Sequence, residues 1–416
     1  MIQFPNIDKI CQSYNYPKEI NVLLKYITKP LIIPGTKSLL LIGSASRGEL
    51  VFKQNRRGLV LFSDLELVVI TKRNNLYDKQ KALKKIDYIE KKQRIIGART
   101  FHIDVSFTTV QRWKRLKQKF HAWEIKNTGQ VLYGENFLGL LRANVEPKYT
   151  IQSSFNRLLY LLLFLPISFF EKKPTKEDLE SFNFILSRAI LDFPIWMLCS
   201  KGILIPGFKE RYEYLKGNKY LFDENNFPID NLIEVVGVAL KARNNLKFDD
   251  DILSFYKTLL CWYPKILSWE LKINNDKIDL LKILQRYDDK IYPTLNWKRY
   301  LWETRLAAAL AKKTSSKQAF SWLIKRKQVL ISGFLWCMHM AVLEYLYGNN
   351  LNANEWLERA QLKIDELWPN GFPKKRCVSF STTWTALRYR FFDFLPRFYR
   401  GLGQNTEYFK WVLKNF

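Results

Sequence analysis

The chain has 416 residues, 47% of them hydrophobic and 15% aromatic, which is ample for packed cores and excludes an intrinsically disordered protein. At about 150 residues per domain, that length corresponds to two or three domains. The 67 Lys and Arg against 39 Asp and Glu give a net charge of +28, which points to a polyanionic partner, nucleic acid before an anionic membrane.

The charge is uneven. Residues 1–150 hold 27 basic and 12 acidic side chains, so the net positive charge per residue there is about twice that of the rest. The bland alternative is a solvated Lys-rich surface. Cys11, Cys199, Cys261, Cys337 and Cys377 are scattered without CxxC spacing. That argues against a zinc site or a disulfide framework and fits a reducing, cytoplasmic compartment. No secretory signal opens the sequence. No stretch reads as a transmembrane segment: the apolar run over residues 158–170 is too short to span a bilayer and contains Pro166, so it reads as a buried helix.

In chain order, residues 1–30 show helical spacing of apolar residues, with "IDKICQSY" and "EINVLLKYI" as the two periodic stretches. "KSLLLIGS" reads as a strand ending at Gly43, and "SDLELVVIT" as a second strand. "KQKALKKIDYIEKKQR" reads as a long basic helix with Leu83, Ile86, Ile89 and Ile95 inward. "RTFHIDVSFTTV" is a third strand; "QRWKRLKQKFHAWEIKNTGQVLYG" starts as a basic helix and ends in a turn at Gly129. This mixture predicts an α+β fold with an N-terminal mixed β-sheet domain. From about residue 150 the periodicity is helical throughout, predicting a large all-α C-terminal region. A boundary near residue 275 divides it into helical domains at 151–275 and 276–416. The second is rich in aromatic residues and Arg; its "RYRFFDFLPRFYRG" suits either base stacking beside phosphates or a buried aromatic helix with snorkelling arginines.

Side chains at i and i+2 of a strand share a face. Asp64 and Glu66 therefore project together while Leu65 and Leu67 point into a core. In the third strand, Phe101, Ile103, Val105 and Phe107 form one face and His102, Asp104 and Ser106 the other. If the two strands are neighbours, Asp64, Glu66 and Asp104 cluster. Such carboxylates repel one another unless a hard divalent cation neutralises them. Two such ions can clamp the attacking and leaving oxygens of a nucleotidyl transfer. A strand-ending Gly43 lets the backbone approach a phosphate, with Ser44 as a hydroxyl donor and Arg47 as a partner for a triphosphate.

Together, "IGSASRGE", "SDLELVV" and "FHIDVSF" resemble the DNA polymerase β-like nucleotidyltransferases. "SRGE" before "SD" is most similar to the minimal and kanamycin nucleotidyltransferase branch. "NTGQVLYGEN" resembles a turn that follows the catalytic strands there. The resemblance covers residues 35–140, so residues 1–150 are expected to be the catalytic domain. It implies metal binding and catalysis by Asp64, Glu66 and Asp104 with two Mg²⁺ or Mn²⁺ ions, and NTP binding at Gly43 and Ser44. It also implies transfer of a nucleoside monophosphate to an acceptor hydroxyl, with pyrophosphate released. The sequence departs from the family in two ways. Glu66 stands where the family more often has Asp, and 19 residues separate Ser44 from Asp64. Within that spacer, Lys53, Arg56 and Arg57 are expected to contact the acceptor or the triphosphate.

The acceptor is open at this level. The charge favours an RNA or DNA 3′ end. The branch resemblance favours a protein or small-molecule hydroxyl. Cyclic-oligonucleotide synthesis, and an inactive fold that binds nucleic acid, are further alternatives; a protein partner is compatible with any of them. His102 lies on the carboxylate face, whereas His339 in "FLWCMHMAV" reads as a core histidine and Glu124 as a helix-surface glutamate rather than a general base.

Overall fold

Apolar residues spaced at three and four positions drive the first two helices, α1 (Pro5–Ser13) and α2 (Lys18–Leu31). Ile7, Ile10, Ile20, Leu24 and Ile27 are buried, which puts one stripe of each helix inward. The computed structural model describes residues 4–56, 58–73, 75–95, 100–116, 120–141, 150–171, 174–224, 227–248, 251–272, 327–367 and 379–398. The first unit continues with β1 (Thr36–Ile42), a 3₁₀ turn (Gly43–Arg47), β2 (Phe52–Asn55), β3 (Gly58–Leu61), β4 (Leu65–Thr71) and α3 (Leu76–Ile95). Then follow β5 (Ile103–Thr109), α4 (Val110–Lys114), α5 (Phe120–Thr128), β6 (Gln130–Gly134) and a second 3₁₀ turn (Leu138–Leu140).

The main sheet has the order β5-β4-β1-β6. β1 runs antiparallel to both β4 and β6, while β4 and β5 are parallel. The sheet is therefore mixed, as the alternation of elements predicts. Alternation along β1 and β4 turns Leu40, Ile42, Val68 and Ile70 to one face, where they pack with Trp113, Ile125, Leu138 and Leu141. Their alternates Leu39, Leu41, Leu67 and Val69 are equally buried. The sheet core is thus closed on both sides, and α3 packs against α2 and β5.

Three details differ from the sequence reading. "QVLYG" is a strand, β6, rather than a turn: it completes the sheet beside β1. The basic segment after β5 is two short helices, α4 and α5, rather than one. The spacer between the Gly-Ser turn and Asp64 folds into a second, two-stranded sheet, β2–β3, with Asn55 opposite Gly58. Leu59, Val60, Leu61 and Phe62 are buried, so the returning strand of this hairpin is anchored in the core.

The chain divides into two compact units. The first takes in Met1–Ile151, Leu191–Tyr220 and Asp230–Lys247, adding to the expected residues 1–150 the end of α8 (Lys176–Ser200), all of α9 (Phe208–Gly217) and most of α10 (Ile229–Asn245). All the regular elements described in the second unit are helices. It contains α6 (Thr150–Phe164), α7 (Ser168–Glu171), the start of α8, α11 (Ile252–Leu271), α12 (Lys327–Leu346), α13 (Asn350–Leu367) and α14 (Phe380–Phe398). The helices expected over residues 278–289 and 297–314, and the boundary near 275, lie outside the described residues. Among the described helices only α8 is long and apolar enough to cross a bilayer, and 89% of its most apolar window is buried within the protein.

In the second unit two arginines of α14 and a histidine of α12 are internal. Arg388 is fully buried, stacks over Trp384 and donates to the Leu163 carbonyl; burial pulls its guanidinium down to about 9. Arg390 pairs with Asp365 at 2.6 Å. For these two arginines the structure selects the buried-helix reading over base stacking. His339 is fully buried, with Nδ1 2.6 Å from the Tyr256 hydroxyl and Nε2 2.8 Å from the Leu158 carbonyl. A neutral imidazole satisfies both: Nε2–H donates to the carbonyl and Nδ1 accepts from the tyrosine. It is a core histidine, as its sequence context predicts.

Burial holds the His339 imidazole down at about 4, against 6.5 in an unfolded chain. The unfolded chain takes up this proton as pH falls through 6.5, while the folded one stays neutral until about 4. Stability is therefore lost across that window, by up to about 3 kcal/mol. Urea unfolding at pH 7.5 and pH 5 should show a smaller acid-induced loss for His339→Gln than for the wild type. Equal losses would refute this role for the histidine.

Candidate functional site

The parallel register of β4 and β5 sets Glu66 opposite Asp104, and the antiparallel register of β1 and β4 sets Ile42 opposite Glu66. Two carboxylates and the end of β1 therefore meet at one end of the sheet. Residue 43, immediately after β1, has φ +71°. A Cβ built there would lie 2.7 Å from Glu66 Oε1 and 2.8 Å from its Cδ. Only glycine tolerates both the backbone angle and the carboxylate at that distance. The Gly-Ser turn and the second carboxylate, 23 positions apart in sequence, are thus in direct contact.

The turn itself is held rigidly. Ser46 is buried and its hydroxyl donates to the Gly43 carbonyl at 2.9 Å. Tyr14 and Tyr16, just beyond α1, donate to the carbonyls of Ser46 at 2.7 Å and Ala45 at 3.0 Å. Gly48 closes the turn at φ +77°, where a Cβ would strike the Tyr14 ring. Ser44 is half-buried, and its hydroxyl has no hydrogen-bond partner among the described residues.

Asp104 is reached by solvent along its edge strand. Its carboxyl is nonetheless raised above the ordinary value of 3.8, chiefly because the surrounding protein displaces water. His102 opposes that shift, Glu66 adds to it by repulsion, and His121 opposes it. Ionisation is costly here without a cation, and the donors are hard oxygens, so the pair fits Mg²⁺ or Mn²⁺ in donor chemistry. Asp64 is half-buried and directly precedes β4, two residues from Glu66. Among the described residues no three His, Cys, Asp or Glu side chains stand together as a ready metal-holding group. The structure brings Glu66, Asp104 and Gly43 together and leaves Asp64 at the strand's entrance.

His102 is not a free acid or base: its Nδ1 is 2.9 Å from Glu90 Oε2 of α3, which also accepts from the Ile103 amide at 3.0 Å. Glu90 thereby ties α3 to the start of β5.

The "SRGE" residues have a role that local sequence did not reveal. Arg47 Nε donates to Glu49 Oε2 at 2.7 Å, and its Nη1 lies 3.1 Å from Glu124 Oε2. Glu124 Oε1 accepts from Arg211 at 2.5 Å. Glu49 Oε1 accepts from the Phe208 amide at 2.5 Å, and its backbone carbonyl from Arg243 at 2.6 Å. The guanidinium groups of Arg47, Arg211 and Arg243 surround the Phe208 ring at 5.8, 5.5 and 5.0 Å. Arg211 and Arg243 are buried, and the Arg47 side chain is 9% exposed.

This network links the Gly-Ser turn and α5 to α9 and α10. Arg47, expected to meet a triphosphate, is engaged inside it. Glu124, expected on a helix surface, is 12% exposed and lies between two arginines. Burial opposes its ionisation, but Arg211 and Arg47 more than offset that and hold its carboxyl below the ordinary range. It is neither an exposed glutamate nor a group poised to accept a proton.

Of the spacer's cations, Lys53 is half-buried with its ammonium 5.6 Å over the Phe62 ring. Arg56 is exposed at the hairpin's tip. Arg57 lies outside the described residues.

No protein-family model, curated protein or solved structure matches the chain.

Removing one member of a buried ion pair strands its partners and costs roughly 3–5 kcal/mol. Arg47→Met should therefore lower the thermal midpoint markedly. A residue whose only role is to touch the triphosphate would leave the midpoint unchanged and raise KM for NTP; that result would contradict the placement of Arg47 in the network.

Proposed function

We propose that the chain is a metal-dependent nucleotidyltransferase of the DNA polymerase β-like kind. It moves a nucleoside monophosphate from an NTP to an acceptor hydroxyl, with a nucleic-acid 3′ end as the acceptor. The observation that carries this reading is the contact of Gly43 with the Glu66 carboxylate, beside Asp104 in register. The glycine turn and a pair of hard oxygen ligands then occupy the same end of the sheet.

Asp64, Glu66 and Asp104 would hold two Mg²⁺ or Mn²⁺ ions, which when bound neutralise charge on the triphosphate and on the departing pyrophosphate. The Gly-Ser turn offers its amides and the Ser44 hydroxyl to phosphate oxygens. Tyr14, Tyr16 and the Arg47 network hold that turn in place, so binding requires little further ordering. In the transfer, the acceptor oxygen forms a bond to the α-phosphorus. The bond from that phosphorus to the bridging oxygen breaks, pyrophosphate leaves, and the hydroxyl proton passes to solvent.

Burial of Arg388 and Arg390 removes those arginines from the argument for a nucleic-acid acceptor. The net charge and the basic surface of α3 remain in its favour.

Incubation with each radiolabelled NTP, Mg²⁺ or Mn²⁺, and cellular RNA and protein should place label in RNA. Label in protein or in a small product would reassign the acceptor while keeping the reaction. No label in any pool, or full activity in a double variant with Asp64→Ala and Glu66→Ala, would refute the catalytic reading.

A further inference from the structure

β4 and β5 are parallel neighbours, so the helix between them must run back along the sheet. α3 starts just after Thr71, at the far end of β4 from Glu66. Its Glu90 then contacts His102 and Ile103 at the start of β5, two residues or fewer from Asp104. The helix therefore travels from the end of the sheet remote from the carboxylates back to the carboxylate end. Because β5 is an edge strand, α3 reaches that end at the margin of the sheet.

Its outward residues form a pattern. Tyr77, Lys81, Lys84, Lys85, Tyr88 and Lys92 are all exposed, and their spacing of three or four places them along one side of the helix. Tyr77 is 72% and Tyr88 54% exposed, which burial in this chain does not explain. Lys92 Nζ lies 4.8 Å over the Tyr88 ring, and Tyr26 of α2, 54% exposed, adds a third tyrosine close to Lys92. At the helix start, Lys72, Arg73, Leu76 and Tyr77 line an open pocket of about 800 Å³.

The acidic residues of α3 do not cancel this charge. Asp87 pairs with Lys91 at 2.8 Å and Glu90 is buried against His102; Asp78, bonded to Asn75 at 2.5 Å, is not neutralised by that amide but is outnumbered by the exposed lysines. Cations interleaved with exposed rings are what a single strand needs: phosphates meet the lysines and bases stack on the tyrosines. The run from Tyr77 to Tyr88 is ~16 Å at 1.5 Å per residue, long enough for a few nucleotides. Tyrosines, unlike phenylalanines, also carry hydroxyls able to hydrogen-bond a ribose 2′-OH.

We propose that the exposed face of α3 is a docking track for single-stranded RNA, running from the Lys72–Arg73 pocket to the carboxylate end of β4 and β5. This deepens the nucleotidyltransferase reading and rests on it for what happens to the RNA end, which the track delivers toward Glu66 and Asp104. The binding itself needs neither NTP nor metal.

The test is fluorescence anisotropy of a labelled single-stranded RNA of about a dozen nucleotides, without NTP or divalent ions, between about 50 and 200 mM salt. Wild-type affinity should fall steeply with salt. A triple variant carrying Lys81→Glu, Lys84→Glu and Lys85→Glu should bind far more weakly and lower the log–log salt slope by about 2, at ~0.7 per lost phosphate contact. Tyr77→Ala and Tyr88→Ala should each weaken binding about tenfold with little change in slope. Unchanged circular dichroism and thermal midpoint would show that these exposed substitutions leave the fold intact.

RNA affinity equal to wild type in the variants would overturn the proposal. So would tighter wild-type binding to single-stranded DNA, to duplex, or to anionic lipid vesicles. RNA binding at α3 in a chain that transfers no nucleotide would uphold the track and refute the catalytic reading. Transfer to a free nucleoside or small hydroxyl acceptor, with RNA affinity insensitive to α3, would do the reverse.

Discussion

The approach of the Gly43 backbone to the Glu66 carboxylate is the constraint on which the rest of the site depends. A side chain at position 43 would occupy the space that the carboxylate fills. With glycine there, the chain leaving β1 can pass directly against the Glu66 carboxylate of its neighbour β4. The sheet order then adds Asp104 from the parallel edge strand. One missing methyl group and one strand register thus bring the Gly-Ser turn and two carboxylates to the same place.

Such closeness between a tight turn and two repelling carboxylates needs support, and the first unit provides it from two directions. Tyrosines 14 and 16 hold the turn's carbonyls from the α1 side. Arg47 and Glu49 connect it to Glu124, Arg211, Arg243 and Phe208. In that network buried cations and carboxylates are matched closely enough that both Arg47 and Glu124 remain charged despite burial. Helices α9 and α10 are therefore part of the site's scaffold. That is a physical reason for the first compact unit to extend beyond the sheet segment.

The site's short-range logic was legible because strands alternate with period two. Leu65 and Leu67 inward, Glu66 and Asp104 on the other face, and His339 in an apolar helix all follow from local spacing. The alternation of strands and helices made the mixed sheet legible, and apolar residues three and four apart made the helical second half legible. The network around Arg47 was not. Its bonds join residues 87, 159 and 194 positions apart, and no local periodicity records such partners. Glu124 therefore passed as a surface residue and Arg47 as a ligand contact. The β2–β3 hairpin was missed because Arg56 stands at its tip, where Asn-Gly would have signalled a turn. Strand β6 was missed because its five residues follow a glycine and read as part of that turn.

The central claim is that Glu66 and Asp104, brought together by register and by Gly43, are ligands for the ions that accompany a nucleoside triphosphate. Titration of Mn²⁺ by electron paramagnetic resonance, with a non-hydrolysable NTP analogue present, tests it most directly. The wild type should bind Mn²⁺ in a nucleotide-dependent way. Glu66→Gln with Asp104→Asn should abolish that binding while leaving the thermal midpoint the same or higher, because the substitutions relieve the repulsion between adjacent carboxylates. Nucleotide-dependent Mn²⁺ binding that persists in the double variant, or that is absent from the wild type, would contradict the account.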